Sequence, residues 1–340
     1  MVTNLDKTFY LHLADNPVRD DIALSDGTKI SSANNDEHLY IGMWFTTSGD
    51  ITKQMLCNLN HRSYNIKKFC DWLDVNTMTP INIKIQVLDS CMFAAYLYGC
   101  ECWSTIDEVA EKILSTERKL LKLILQVKPS TPNEIVYTEL GRCDMISRIK
   151  MRQRNFFERC KQLREEEATL AKVLKMCAHL NIVRYYESLT ENIGEINMSQ
   201  MKEIITNATT THFSRYSELT EVENNDCIYG QYLREDKRVV ITRWRLSSHN
   251  LRIETGRYSN PPIPRQERVC SECPSSIEDE YHALFQCPMY NNIHRKYRDF
   301  LLMNPSVLDL LNPKSIDDAN TVGDMLLQIE EVRKQLGLST

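Results

Sequence analysis

Glycine and proline are scarce in this chain, with 10 and 11 of them among 340 residues. That scarcity argues against a disordered chain and against a turn-rich all-β fold. The first residues, Met1-Val2-Thr3-Asn4-Leu5-Asp6-Lys7, contain no apolar signal core. The longest apolar run, Ile85 to Leu97, is broken by Gln86 and Asp89 and is too short to span a bilayer. No glycine-rich phosphate loop, no Gly-x-Ser-x-Gly and no His-Glu-x-x-His occurs, so the common nucleotide, hydrolase and metalloprotease signatures are missing. A large charge of one sign is missing too, since the net charge is −5.

Twelve cysteines are present. They do not read as a secreted disulfide framework, because Cys70, Cys91, Cys160 and Cys177 are scattered through apolar helical patterns. Free thiols in the cytosol or nucleus, without a membrane anchor, are the expectation.

The apolar pattern predicts a mainly α protein with a small N-terminal β segment. Phe9–Leu13 and Leu39–Phe45 are rich in aromatic and branched residues and read as strands, with a turn at Asp26-Gly27 between them. From Asp50 the spacing turns helical, as in Met55, Leu59, Ile66, Phe69 and Leu73. A second helix is predicted from Pro80 to Leu97, stopping at Gly99. A third starts at Thr105, with Glu108 completing a capping box, and ends before Pro129. Further helices are expected over Asn133–Leu140, Cys143–Leu163, Ala168–Leu180 and Ser199–Thr206, and a linker over 206–225.

The strongest chemical signal is Cys270-x2-Cys273-x8-His282-x4-Cys287. A Cys-x-x-Cys turn brings two sulfurs to one ion, a short helix over 278–285 presents His282, and Cys287 closes the loop. Zinc prefers four tetrahedral N and S ligands, and a site with four protein ligands has no open position for chemistry. A structural zinc-knuckle-like module follows. Buried thiols beside an unrelated histidine are the bland alternative, and His294 is a substitute ligand.

Charge is locally segregated. Arg148, Lys150, Arg152, Arg154, Arg159, Lys161 and Arg164 crowd one stretch against a single Glu158, with Phe156 and Phe157 interleaved. A second basic stretch includes Lys237, Arg238, Arg243, Arg245, Arg252 and Arg257. Arginines make bidentate phosphate contacts, so Arg148, Lys150, Arg152, Arg154, Arg159, Arg243, Arg245 and Arg257 are candidate nucleic-acid contacts. A solvated amphipathic face explains the same pattern. Val239–Arg245 reads as strand or helix, with Trp244 a candidate for base stacking. Asp20-Asp21 invites a two-metal polymerase reading, but Pro17 precedes the pair and no carboxylate strand leads into it, so a solvated turn is expected.

Several of these segments together resemble one family in order. Asn4-Leu5-Asp6-Lys7-Thr8 is similar to the Asn-x-x-Lys-Thr segment of non-LTR (LINE-type) retrotransposon reverse transcriptases. Leu39-Tyr40-Ile41-Gly42 resembles their Tyr-Leu-Gly motif, with Ile41 in place of Leu. Leu97-Tyr98-Gly99-Cys100-Glu101-Cys102-Trp103 resembles Leu-Tyr-Gly-x-Glu-x-Trp, and Glu117-Arg118 with Leu120-Leu121 follows in the next helix. The stretch around Gly256-Arg257 and the Cys/His cluster resemble the family's C-terminal region. The family's catalytic aspartate pair precedes its Asn-x-x-Lys-Thr segment, so Asp20 and Asp21 stand on the wrong side of Asn4–Thr8.

The resemblance implies a palm edge over 1–50, a thumb-like helical bundle over 51–165, a connector over 166–225, a basic segment with the zinc-knuckle-like module over 226–300 and a helical tail over 301–340. It implies a chain without catalytic aspartates that binds RNA or an RNA–DNA hybrid and makes no DNA by itself. A protein-interaction module stapled by zinc is the rival reading.

Overall fold

The computed structural model describes residues 8–12, 20–32, 37–47, 50–103, 107–166, 181–189, 191–207, 216–219, 226–230 and 232–338. Asn4 to Lys7, the Thr105 cap and the helix expected over Ala168–Leu180 lie outside these residues. The fold is mainly α, with small N-terminal sheets. It divides into two compact units, each discontinuous in sequence. One comprises 1–72, 87–115 and 145–193; the other comprises 73–86, 116–144 and 194–340. The segment 51–165 is therefore shared between both units.

The first unit begins with strands β1 (Phe9–Tyr10), β2 (Ile22–Ala23) and β3 (Lys29–Ser32), in sheet order β1-β3-β2. β2 and β3 are antiparallel across the turn at Asp26-Gly27, where Gly27 has φ +83°. Strands β4 (Glu37–Tyr40) and β5 (Met43–Thr46) form a hairpin that pairs Tyr40 with Met43. The single strand expected over Leu39–Phe45 is thus folded back at Ile41-Gly42. Both residues have positive φ, +46° and +74°, the requirement of a tight two-residue hairpin turn.

Helix α1 (Ile51–His61) is capped by Asp50, which accepts from the amides of Thr52 and Lys53. Fully buried Asn58 binds the hairpin to it, accepting from the Trp44 amide at 2.9 Å and donating to the Trp44 carbonyl at 2.7 Å. Helix α2 (Tyr64–Val75) follows.

Helix α3 (Ile81–Val87) runs on through a π-helical turn, Leu88–Phe93, into Ala94–Tyr96. The helix then ends at Gly99, which is left-handed at φ +78° as a helix-ending glycine should be. A Cβ on Gly99 would lie 2.5 Å from Met43 Sδ, and one on Gly42 would lie 3.1 Å from the Tyr98 ring. Arg62 ties these segments together, donating to the Tyr98 carbonyl at 2.6 Å and the Gly42 carbonyl at 2.7 Å.

Helix α4 spans Asp107–Leu125, α5 Asn133–Glu139 and α6 Met145–Glu166. Within the first unit, α6 is pinned by Gln153, whose amide donates to the carbonyls of Cys100 and Trp103 at 3.0 and 2.7 Å. Leu97, Cys100, Trp103, Ile149 and Phe157 form the core beneath it.

The second unit is built around two packed helices, Glu235–Arg245 and Ile316–Gln335. After α7 (Asn181–Glu187), which belongs to the first unit, come α8 (Ile193–Asn207), α9 (Asp226–Tyr229), α10 (Glu235–Arg245) and α11 (Arg252–Thr255). They are followed by α12 (Asn291–Lys296), α13 (Arg298–Met303), α14 (Val307–Leu311) and α15 (Ile316–Gln335). The ambiguous Val239–Arg245 stretch is helical. Val322, Met325, Leu326 and Ile329 of α15 and Ile241 of α10 are inaccessible to solvent, so the C-terminal helix is the centre of this core. Gly323 permits the close approach, because a Cβ there would fall 2.5 Å from Lys237 Cβ. Glu117 of the resemblance motif is buried and accepts from Tyr137 Oη at 2.7 Å and Arg142 Nη2 at 3.3 Å, a packing role.

No helix among the described residues is long and apolar enough to cross a membrane.

Candidate functional site

The Cys/His cluster is formed by local chain geometry. A bridge between Val269 and Ile277 and hydrogen bonds from Cys270 N to Ser276 O and Ser276 N to Cys273 O, each 2.9 Å, fold the Cys-x-x-Cys turn. The helix expected over 278–285 is shorter and wider. It begins at Glu280 and passes into a π-turn, His282–Gln286, which closes with Cys287 N donating to His282 O at 2.8 Å. Asp279 caps it, accepting from the His282 amide at 2.9 Å.

This turn brings His282 and Cys287 beside the first two cysteines. One ligand-type atom from each of Cys270, Cys273, His282 and Cys287 lies within 4.8 Å of all the others. Cys270, His282 and Cys287 are buried and Cys273 is half-buried. The sulfurs of Cys270 and Cys287 are 3.7 Å apart. Two thiolates bound at about 2.3 Å to one tetrahedral ion stand roughly 3.8 Å apart, so the spacing suits a metal.

The imidazole gives the second indication. His282 is 4% exposed, and neither of its ring nitrogens has a hydrogen-bond partner in the chain. A buried imidazole with no partner is costly unless something outside the protein chain binds it. Burial, with the neighbouring Cys270 adding to it, pushes the Cys287 thiol up to about 12; a bound cation acts in the opposite direction. The cluster can hold a metal ion with four protein ligands. His294 does not join it, because its Nε2 faces the Ala283 carbonyl at 3.1 Å.

The module is anchored by residues whose role the sequence hides. Buried Glu278 pairs with Arg333 of α15 and accepts from the Arg252 amide at 2.8 Å. Arg333 also donates to the Asn250 carbonyl at 2.9 Å. Glu278 lies between the ligands, but its partner is 55 residues away, beyond any local pattern. Glu37, Cys57 and His61 of the first unit also come together, and the i, i+4 spacing of Cys57 and His61 is the sequence signal for it.

The eight candidate nucleic-acid contacts have different surroundings. On α6, Arg148 pairs with Asp89 and Arg154 with Glu191, each at 2.6 Å. Half-buried Lys150 has no ion pair among the described residues. Arg152 faces Cys100 Sγ at 3.9 Å and has no acidic partner among them, and Arg159 is exposed without one. In the second unit Arg243 donates to the Gln126 carbonyl at 2.9 Å. Arg257 pairs with Glu254 at 3.2 Å and lines a cavity of about 320 Å³ walled also by Glu218 and Glu280.

Arg245 faces inward. Its side chain is 1% exposed and binds Glu139 through Nε at 2.6 Å and Nη2 at 3.0 Å. Trp244, the stacking candidate, is 1% exposed and packs in the core, tilted against His249. Asp20 and Asp21 are exposed and join no cluster of metal-ligating side chains among the described residues.

No family profile, curated protein or solved structure matches this chain.

Proposed function

We propose that this chain is a nucleic-acid-binding protein, similar to the C-terminal part of a LINE-type reverse transcriptase and without polymerase chemistry of its own. It holds RNA or an RNA–DNA hybrid through phosphate contacts. The observation that carries this reading is on α6. Arg152 and Arg159 are seven residues apart, two turns of one helix face, and neither is neutralised by an acid among the described residues. Lys150 lies on the opposite flank of the helix and is not part of this pair. The adjoining face of the helix is fixed by Gln153, Ile149 and Phe157, so the two arginines flank a rigid support.

Zinc is the metal this reading assigns to Cys270, Cys273, His282 and Cys287. Three thiolates and one imidazole are the donor set zinc prefers, and with four protein ligands its role is structural.

The test is binding of the full chain to single-stranded RNA and to an RNA–DNA hybrid across salt concentration. Each phosphate contact contributes roughly 0.9 to the slope of log K against log salt on duplex and about 0.7 on a single strand. The double variant Arg152→Glu, Arg159→Glu is expected to reduce the slope by about one to two and weaken binding. Affinity and slope equal to wild type would refute this interface.

A second reading has its own support. Arg148, Arg154 and Lys161 are paired within the chain and Arg245 is buried, which weakens the basic field. A protein-interaction module predicts no salt-dependent nucleic-acid affinity at all.

A further inference from the structure

The hairpin and helix α1 place three ligand-type side chains together in the first unit. Cys57 and His61 are one turn apart on α1, and Glu37 opens strand β4 beside them. One ligand-type atom from each lies within 4.8 Å of the others. Glu37 Oε2 and His61 Nε2 are 2.6 Å apart. The Trp44 ring stacks on His61 at 3.8 Å between centroids and 12° between planes, which fixes the imidazole's direction.

A nucleophilic Cys–His pair is the first alternative, and the geometry rejects it. Such a pair needs the imidazole on the sulfur. Here His61 Nε2 is engaged by Glu37 at 2.6 Å, and no hydrogen bond joins it to the Cys57 sulfur.

We infer that Glu37, Cys57 and His61 form a second metal site, for a divalent first-row cation of zinc-like softness. One carboxylate and one thiolate neutralise a divalent charge, and the neutral imidazole completes three ligands. On binding, the Cys57 thiol gives its proton to solvent as the metal–sulfur bond forms. Oxygen and nitrogen ligands about 2.0–2.1 Å from a tetrahedral ion stand roughly 3.4 Å apart. The present 2.6 Å contact between Glu37 and His61 must therefore open slightly. Both side chains have room to do so, being 45% and 35% exposed, while Cys57 is held at 6%. Those exposed edges leave the fourth position to water, the pattern of an accessible rather than a closed site.

The site is independent of the cluster at Cys270, and the experiment separates them. Metal-free full-length chain is dialysed against excess zinc and its bound metal counted by elemental analysis. Wild type is expected to hold two ions, and the variants His61→Ala and Glu37→Gln one each. Cys273→Ser should also hold one, and that remaining ion should disappear when His61→Ala is added. Because His61 stacks on Trp44, far-ultraviolet circular dichroism monitors its fold, while exposed Glu37→Gln tests the site without removing a packed ring. Cobalt supplies an independent readout: the Cys273→Ser protein should show a thiolate-to-cobalt band that Cys57→Ser abolishes. Equal metal content in wild type, His61→Ala and Glu37→Gln would overturn the inference, as would a cobalt band insensitive to Cys57.

Discussion

Glu139 is the acceptor at the centre of the second unit's most buried polar network. It receives Arg245 through two nitrogens, Tyr216 Oη at 2.7 Å and Tyr229 Oη at 2.6 Å. Glu139→Ala leaves the Arg245 guanidinium buried with its charge uncompensated, although Leu311 O and Asn312 Oδ1 still accept from it. Breaking a buried pair from one side costs about 3–5 kcal/mol. That is a large share of the roughly 5–15 kcal/mol that holds a domain folded. For a unit of this size about 4 kcal/mol lowers Tm by roughly 8–16 °C.

Urea unfolding of Glu139→Ala, Arg245→Met and the double variant measures the coupling. The double variant should be more stable than the sum of the singles by about 2 kcal/mol or more, because it buries no lone charge. The same group sets an acid limit. Burial pushes the Glu139 carboxyl up, but Arg245 and the two tyrosine hydroxyls outweigh it and hold the carboxyl below its ordinary 4.5. Its stabilisation is therefore complete above about pH 4.5 and is lost as pH falls through the lower folded value. Wild-type urea midpoints should drop in that window, and those of Glu139→Ala should drop less. Additive single variants, with coupling under about 0.5 kcal/mol, would refute the reasoning. So would an Arg245→Met protein of normal stability that binds RNA more weakly.

Gly99→Ala should destabilise the chain by about 1–2 kcal/mol from the left-handed backbone alone, with more from the displaced Met43; wild-type thermal stability would contradict the turn as described. Chelation, or Cys273→Ser, should raise amide exchange over 268–290 while the α6 amides keep their protection. The module buries few side chains of its own, chiefly Ala283, Leu284 and Tyr290 besides the ligands. Unchanged exchange in that segment after metal removal would show that packing alone holds it.

The sequence was most informative where the determining residues are close together. The Cys270–Cys287 spacing announced four ligands because one knuckle and one turn carry them all. The helix end at Gly99 and the turn at Asp26-Gly27 were legible for the same reason. The hairpin is hard to read because Leu39–Phe45 is apolar and aromatic apart from Gly42, and the Ile41-Gly42 reversal requires a branched residue at positive φ, which composition disfavours.

Charge was the least legible property. Arg243, Arg245 and Arg257 look alike in a basic run, yet Arg245 is buried on a glutamate 106 residues away in the chain. Only tertiary pairing separates a core arginine from a surface one, and no local pattern encodes it. Glu37 likewise reaches Cys57 and His61 only because the hairpin folds back onto α1.

X-ray absorption at the zinc edge on His61→Ala protein tests the central assignment directly, since that variant leaves Cys270, Cys273, His282 and Cys287 as the ligands. The expected shell is three sulfurs at about 2.3 Å and one nitrogen at about 2.0 Å. A shell of oxygens and nitrogens alone, or a protein that retains no zinc, would contradict it.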